Sequence, residues 1–221
     1  MPPALIFDLD GTLVDTAPDL LDALNAILLR EGRRAVDHAD LRHLVGHGAR
    51  IMLAEAFAMT GGAVDEARLH RLLDDYIARY ESHVAVASRP FPGVEETLRE
   101  LSGAGARLGV LTNKSQELTD LLLPALNMTR FFGAIHGAGR YGYIKPDARV
   151  FHHVVEELGG GPALMIGDSA TDVATARAAG VPVIVVSYGY TPEPARTLGA
   201  DAVVDDFADI PAAAQRLLER G

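Results

Sequence analysis

The stretch Ile6-Phe7-Asp8-Leu9-Asp10-Gly11-Thr12-Leu13-Val14-Asp15 begins as an apolar run and ends in acids, a glycine and a threonine. The apolar residues Ala4 to Phe7 predict a short buried strand. Side chains at i and i+2 of extended backbone point the same way, so Asp8 and Asp10 could face one site. Open α/β sheets bind ligands at this end of their strands, and Gly11 allows the chain to turn sharply there.

Paired acids after a strand have two interpretations. An isolated D-x-D pattern is usually only an acidic turn. The longer pattern D-x-D-G-T-L-x-D, placed directly after an apolar strand, favours a functional site because motif and structural context agree. Two adjacent carboxylates repel each other and call for a cation, and Mg²⁺ fits because it prefers a few carboxylates together with water and substrate phosphate.

Composition limits the classes of protein to consider. The chain has 221 residues, of which 48% are hydrophobic and 23% charged, enough for one domain or for a core domain with a small insertion. Its formal net charge of -10 argues against nucleic acid and anionic membranes as partners. The absence of cysteine excludes disulfides and thiolate catalysis. No signal peptide or membrane-length apolar run is visible, so we expect a cytoplasmic monomer or homodimer.

The pattern of apolar residues divides the chain into two kinds of region. Residues 16–85 have helical spacing almost throughout, with a break near the glycines at 46 and 48. After residue 93, strands and helices alternate, which predicts a Rossmann-like parallel sheet with helices on both faces. We therefore expect an α/β core made of residues 1–15 and 89–221, with an α-helical cap, residues 16–88, inserted after the first strand.

Three further stretches place polar groups after predicted strands. They are Val110-Leu111-Thr112-Asn113-Lys114, the pair Lys145-Pro146, and Met165-Ile166-Gly167-Asp168-Ser169-Ala170-Thr171-Asp172. Taken singly, they can be a turn signal, a solvated loop and a helix N-cap. The lysines are nevertheless conspicuous, because the chain contains only two of them among 20 basic residues.

Together the four stretches resemble, in order, the four motifs of the haloacid dehalogenase-like (HAD) phosphohydrolases. The resemblance implies that Asp8 is a nucleophile that becomes phosphorylated, and that Asp10 is the general acid and base. It also implies that Thr112 and Asn113 bind phosphate oxygens, and that Lys145 neutralises the nucleophile and the transferring phosphoryl group.

The same resemblance implies a magnesium site. Asp8, Asp168 and the main-chain carbonyl of Asp10 would bind Mg²⁺, which gives the prediction of a Mg²⁺-dependent phosphatase. Asp172 lies one helical turn after Asp168 and would support the site by orienting Lys145 or a metal-bound water.

Two cap stretches resemble one subfamily, the phosphoglycolate phosphatases. Residues 15–25 match D-[ST]-x-x-D-L-x-x-A-x-N, and Val45-Gly46-His47-Gly48-Ala49-Arg50 resembles their V-G-x-G segment. The resemblance implies a small phosphorylated metabolite as the partner, with 2-phosphoglycolate preferred. Arg50 is a candidate for binding the substrate carboxylate through its planar fork, although a solvated helix arginine explains it equally well. His43 and His47 are better explained as surface or capping residues.

Two alternatives stay open from the sequence alone. The enzyme could hydrolyse another small monoester, such as a sugar phosphate or a nucleotide. A non-catalytic HAD-like binding protein is the alternative from another class. It is disfavoured because Asp8, Asp10, Lys145 and Asp168 are all present.

Overall fold

The structure is a computed structural model that describes residues 1–219. Its strands are β1 (Ala4–Phe7), β2 (Val14–Asp15), β3 (Arg89–Pro90), β4 (Arg107–Ser115), β5 (Ala134–Ala138), β6 (Ala163–Gly167), β7 (Val183–Val186) and β8 (Ala202–Val204). Six of them form one sheet in the order β5-β4-β1-β6-β7-β8, and every pair of neighbours is parallel. The predicted α/β fold class is confirmed.

The helices fall into two groups along the chain. The first group lies between β2 and β3 and consists of α1 (Ala17–Arg30), α2 (His38–Leu41), α3 (Ala49–Gly61) and α4 (Glu66–Glu81). The second group alternates with the strands and consists of α5 (Val94–Gly103), α6 (Gln116–Ala125), α7 (Ala148–Glu157), α8 (Ala170–Ala179) and α9 (Ile210–Leu218). We keep the name cap segment for residues 16–88; treating it as a separate domain stays a prediction.

Both faces of the sheet are covered by apolar side chains. Leu5 and Phe7 of β1 belong to the apolar cluster on one face, whereas Ala4 and Ile6 belong to the cluster on the other. This alternation follows from the two-residue period of a strand. The cap segment has a third cluster of its own, built mainly from α1, α3 and α4.

The register of the central strands brings their carboxyl ends to one edge. Phe7 lies opposite Val110 of β4 and Ile166 of β6. The residues just beyond these positions therefore lie side by side at the ends of their strands. This places the polar stretches at the carboxyl ends of β1, β4 and β6 at a common edge, where α/β proteins bind ligands.

A short antiparallel pair, β2 with β3, was not predicted. It brings together the two points at which the chain passes between the sheet and the cap segment. Close by, the buried Asp19 carboxylate accepts hydrogen bonds from the Ala87 and Ser88 N–H groups and from the Ser88 hydroxyl, at 2.6 to 3.1 Å. The two linkers are thus joined by strand pairing and by a buried acid.

The predicted break in the second helical stretch of the cap segment is present. That stretch, expected from about residue 40 to 57 with a break near the glycines at 46 and 48, consists of α2 and α3. Gly46 and Gly48 lie between them with φ of 105° and 87°, a conformation that side-chain-bearing residues rarely adopt. Among residues 1–219, no helix is both long and apolar enough to cross a membrane.

Candidate active site

The strand ends meet at a cavity of about 320 Å³. Asp8, Asp10, Thr112, Lys145 and Asp168 all line it, as the motif order predicts. Because these side chains come from four separate stretches, their meeting depends on the parallel sheet rather than on local sequence. The opposite wall is formed by residues of the cap segment, namely Arg42, His43, Val45, Gly46, His47 and Gly48.

Lys145 forms ion pairs with two acids of the predicted site, Asp8 and Asp172. Its Nζ lies 2.8 Å from Asp8 Oδ1 and 2.7 Å from Asp172 Oδ1, and its side chain is 2% exposed. Burial alone would lower the pKa of Lys145, but the carboxylates of Asp172 and Asp8 outweigh it and raise that pKa. The lysine therefore stays charged beside Asp8.

Both carboxylate oxygens of Asp172 accept hydrogen bonds from within the protein. One of its oxygens accepts from Lys145, and the other accepts from the N–H groups of Asp168 and Ser169 and from the Ser169 hydroxyl. This bonding matches the predicted supporting position. It orients Lys145 and closes the first turn of α8 as a capping box.

Asp168 is held by two residues of the first motif, Gly11 and Thr12, and by Tyr190. Thr12 Oγ1 donates to Asp168 Oδ1 at 3.2 Å, and the N–H of Tyr190 donates to Oδ2 at 2.7 Å. Gly11, with φ of 83°, lies against the same carboxylate, and a Cβ there would come within 2.5 Å of Asp168 Oδ2. Any side chain at Gly11 would therefore displace the acid.

Tyr190 also reaches the linker into the cap segment. Its hydroxyl donates to Asp15 Oδ1 at 2.7 Å and accepts from the N–H groups of Thr16 and Ala17 at 2.7 and 2.9 Å. The sequence signal for Tyr190 was the resemblance of residues 187–190 to a C-terminal segment of phosphoglycolate phosphatases, which assigned it no role.

The buried charges of this cavity do not balance. Burial, together with the charges of Asp172 and Asp10, raises the pKa of Asp8 to about 7 despite the nearby Lys145. Burial and the neighbouring acids raise the pKa of Asp168 well above its usual range. Among residues 1–219, the ion pairs of this cluster involve two lysines for the four acids Asp8, Asp10, Asp168 and Asp172, so two negative charges are in excess when all four acids are ionised.

A divalent cation fits this excess. Carboxylate oxygens of Asp8, Asp168 and Asp172 lie within 4.8 Å of one another, and all three residues are buried. Asp172 already accepts four hydrogen bonds, whereas Asp168 accepts two and Asp8 pairs with Lys145 through one oxygen, so Asp8 and Asp168 are the better placed ligands. The main-chain carbonyl of Asp10 accepts no hydrogen bond from the described residues, so it is a third candidate ligand for the cation. Hard oxygen ligands of this kind suit Mg²⁺.

Hydrogen-bond donors without a protein acceptor lie next to Asp8 and at the end of β4. Within residues 1–219, the N–H groups of Leu9 and Asp10 donate to no protein acceptor. The Thr112 hydroxyl accepts from the Lys114 N–H at 3.1 Å, which leaves its own proton available. Buried donors without a partner are costly, so this set is suited to an anion such as phosphate.

Comparison with known proteins bears on what these groups do. A sequence model of the family described as haloacid dehalogenase-like hydrolase matches residues 5–186. The chain belongs to the haloacid dehalogenase-like hydrolases. The match spans the stretches after β1, β4 and β6 and most of the sheet, so it includes every core residue predicted for the site.

Relatives of this hydrolase are similar over nearly its whole length. The phosphoglycolate phosphatase of Caulobacter vibrioides is 47% identical over 216 residues, which cover 97% of this chain and 91% of the relative. The phosphoglycolate phosphatase of Agrobacterium fabrum is 44% identical over 222 residues, with coverage of 99% and 95%. This hydrolase is an enzyme of the phosphoric monoester hydrolase class.

Solved structures agree with this membership. A predicted phosphoglycolate phosphatase from Haemophilus somnus superposes with a TM-score of 0.89 at 29% identity, covering 96% of this chain and 97% of that one. CbbY from Rhodobacter sphaeroides, solved in complex with phosphate, has a TM-score of 0.77 at 26% identity, with coverage of 95% and 96%.

Asn113 lines the cavity and also holds part of its wall together. Its side chain donates to the carbonyls of Gly46 and Lys145 at 3.0 and 3.2 Å, and accepts from the Lys145 N–H at 3.0 Å. Both amide protons are therefore used within the protein. Asn113 joins the loop that carries Lys145 to the cap segment, and its binding of substrate stays a prediction.

The structure places Arg50 outside the cavity that contains Asp8. Its guanidinium forms an ion pair with Glu66 at the start of α4, and both side chains are more than half exposed. Arg50 borders an adjoining cavity of about 240 Å³, which Asp10 and Lys114 also line. Its contact with the substrate carboxylate stays a prediction.

Arg42 lies where Arg50 was expected. It lines the cavity with Asp8, its side chain is exposed, and it makes no ion pair within residues 1–219. His43 and His47 line the same wall and are also exposed. This basic cap wall faces the acidic strand ends across the cavity.

Proposed function

We propose that this enzyme hydrolyses small phosphate monoesters with Mg²⁺, that 2-phosphoglycolate is the preferred substrate, and that Asp8 is phosphorylated during turnover. The observation that carries the chemistry is the strand-end cluster, in which a buried acid, a lysine and unused N–H donors surround one cavity. The substrate is proposed from relatives named phosphoglycolate phosphatase that match nearly the whole chain.

Binding of the phosphoryl group uses this chain's own donors. The N–H groups of Leu9 and Asp10 and the hydroxyl of Thr112 donate to its oxygens, and Lys145 balances the charge. Mg²⁺ bound between Asp8 and Asp168 would offset the excess negative charge and polarise the phosphoryl oxygens. Without a cation, the buried acids would repel a phosphate dianion.

Asp8 and Asp10 then divide the chemistry. An Asp8 oxygen forms a bond to phosphorus while the bond from phosphorus to the ester oxygen breaks. Asp10 gives a proton to that ester oxygen as the alcohol leaves. In the second step Asp10 takes a proton from a water whose oxygen bonds to phosphorus, and the bond to Asp8 breaks. Phosphate leaves and both acids return to their starting state.

The cap wall supplies substrate selection in this proposal. A carboxylate on the leaving group would pair with Arg42 or with N–H groups of the turn at 46–48, since both line the cavity. Charge-assisted hydrogen bonds of this kind contribute roughly 1.5–3 kcal/mol each. A small anion is thereby favoured over an uncharged sugar of similar size.

The direct test is phosphate release from a panel of monoesters. We expect the largest kcat/KM for 2-phosphoglycolate, lower values for a hexose phosphate and a nucleoside monophosphate, and loss of all activity when EDTA removes the metal. Restoration by Mg²⁺ completes the test. Preference for the hexose phosphate would contradict the substrate proposal only. No hydrolysis of any monoester, including p-nitrophenyl phosphate, would contradict the enzymatic proposal.

A further inference from the structure

The second buried lysine, Lys114, has no role in the proposed chemistry. Its side chain lies at the end of β4 and is 4% exposed. Its Nζ is 3.0 Å from Asp10 Oδ1 and 3.2 Å from the hydroxyl of Tyr80, a residue of α4. The same ammonium lies 4.7 Å from the centre of the Tyr80 ring. Lys114 therefore occupies the space between the proposed acid and a helix of the cap segment.

The two oxygens of Asp10 are in different surroundings. Oδ1 is paired with Lys114 and also accepts from the Thr16 hydroxyl at 2.7 Å. Within residues 1–219, no hydrogen bond or ion pair reaches Oδ2. Two contacts on one oxygen fix the rotation of the carboxylate and leave the other oxygen free for proton transfer.

Both contacts lead to the cap segment. Thr16 stands at its beginning, and its N–H donates to Tyr190; Tyr80 lies near the end of α4 and is fully buried. Tyr80 also stacks on Tyr76 of the same helix, with ring centres 6.0 Å apart. The orientation of Asp10 is thus tied to the packing of this helix against the end of β4.

The charge state supports an ion pair here. Burial would lower the pKa of Lys114, but the Asp10 carboxylate outweighs burial and raises that pKa. A buried lysine is costly unless it is paired, and the sole carboxylate that pairs with Lys114 among the described residues is that of Asp10. A lysine required only for solubility would lie at the surface.

We propose that Lys114 is a positioning residue for Asp10, which together with Thr16 and Tyr80 aims the free oxygen of Asp10 at the leaving group. Lys114 gives and takes no proton itself. This inference rests on the proposed function, because the position of Asp10 matters to turnover only if Asp10 transfers protons.

A double-mutant cycle separates positioning from general damage. Lys114→Met in the full-length enzyme with Mg²⁺ should lower kcat for p-nitrophenyl phosphate by about 10- to 100-fold, within the range of a general acid and base. KM should fall with kcat and leave kcat/KM little changed, because only hydrolysis of the phosphorylated enzyme is slowed. In an Asp10→Asn background the same substitution should cost less than about twofold, because the group it positions is already disabled.

A second readout reports on the step affected. p-Nitrophenolate leaves without acid assistance, so Asp8 should still become phosphorylated in the Lys114→Met variant. Hydrolysis of the phosphorylated enzyme should then be slow. Rapid mixing should show a burst close to one nitrophenolate per enzyme, and intact-protein mass spectrometry after acid quench should show the added phosphate. A misfolded variant would lose burst amplitude instead.

Two milder variants complete the design. Tyr80→Phe keeps the ring and removes the hydroxyl, so a loss of a few-fold in kcat with the same burst is expected. If circular dichroism shows that Lys114→Met does not fold, Tyr80→Phe replaces it in the double-mutant cycle with Asp10→Asn. Asp75→Asn, a change on the same helix as Tyr80 that removes an exposed ion pair with Arg30 of α1, should behave as wild type.

Several outcomes would overturn the proposal. Equal losses in the wild-type and Asp10→Asn backgrounds would make Lys114 a general structural residue. A raised KM with unchanged kcat would make it a substrate contact. An inactive wild-type enzyme would contradict both this inference and the proposed function. An active wild-type enzyme in which the losses from Lys114→Met and Asp10→Asn multiply in the double variant would contradict this inference alone.

Discussion

The two walls of the cavity differ in construction. On the wall formed by the strand ends, Asp8, Lys145, Asp168 and Asp172 are buried and joined by hydrogen bonds and ion pairs. On the wall formed by the cap segment, Arg42, His43 and His47 are exposed, and the backbone turns at glycines. A fixed wall suits chemistry that needs defined geometry, whereas an open wall suits the selection of leaving groups.

This difference makes a general prediction about substitutions. Changes at the strand ends should lower turnover of every monoester by similar factors. Changes on the cap wall should alter the ranking of substrates and leave the reaction of a neutral, activated ester nearly unchanged. The following variants are arranged from the largest expected effect to the smallest.

Asp8→Asn should have the largest effect. The amide cannot attack phosphorus and is a poorer metal ligand, so we expect kcat to fall at least about 10⁴-fold on 2-phosphoglycolate and p-nitrophenyl phosphate alike. Phosphate release measures this. Asp74→Asn, the same change on the exposed surface of α4, is the matched control and should not alter kcat. Substantial turnover by Asp8→Asn would reassign the nucleophile.

Asp10→Asn comes next, with a loss of about 10²- to 10⁴-fold, the range of general acid and base catalysis. The loss should be greatest in hydrolysis of the phosphorylated enzyme, because water then has no base. After rapid acid quench with p-nitrophenyl phosphate, mass spectrometry should detect a phosphorylated chain. Persistent turnover without this species would show that Asp10 does not have two roles.

Asn113→Ala tests the contact between the two walls. The substitution removes three hydrogen bonds to backbone groups of Gly46 and Lys145. Unsatisfied buried groups cost roughly 1–3 kcal/mol, so a lower melting temperature is expected. Displacement of Lys145 should lower kcat by about 10-fold on both substrates. A loss confined to 2-phosphoglycolate would place Asn113 in the substrate-binding set.

The sequence was sufficient for the strand-end wall because parallel topology converts motif order into spatial proximity. Asp8, Thr112 and Asp168 each lie at the carboxyl end of a buried strand, and a parallel sheet puts these ends at one edge. The adjacency of β4, β1 and β6, which the sequence did not predict, then brings the three residues together. Asp172 was placed correctly for a similar reason, since one helical turn separates it from Asp168.

Other features depend on contacts that no local pattern encodes. The pairing of Lys114 with Asp10 needs Tyr80, which lies on a helix whose docking is decided by tertiary packing. Strands β2 and β3 have two residues each, too few for a periodic signal. Tyr190 reaches Asp15 across 175 residues of sequence.

Arg42→Ala tests the cap wall itself. Loss of a charge-assisted hydrogen bond of about 1.5–3 kcal/mol predicts a KM for 2-phosphoglycolate raised by roughly tenfold or more. Hydrolysis of p-nitrophenyl phosphate should change little, because that ester carries no carboxylate. Arg42→Lys should restore part of the affinity. Equal losses on both esters would mean that Arg42 supports the fold or the phosphoryl group instead.

Arg50→Ala should have the smallest effect, and it sharpens the contrast with Arg42. Its guanidinium pairs with Glu66 at the surface, and exposed ion pairs contribute at most about 1 kcal/mol. We expect kcat and KM for both esters to stay within about twofold of wild type, a difference well below a kilocalorie. Steady-state kinetics on the two substrates, run beside Arg42→Ala and Glu66→Gln, measures this. If Arg50 instead swings towards the substrate when the cap segment closes, KM for 2-phosphoglycolate alone will rise in Arg50→Ala, and Glu66→Gln, which frees the arginine, will lower it.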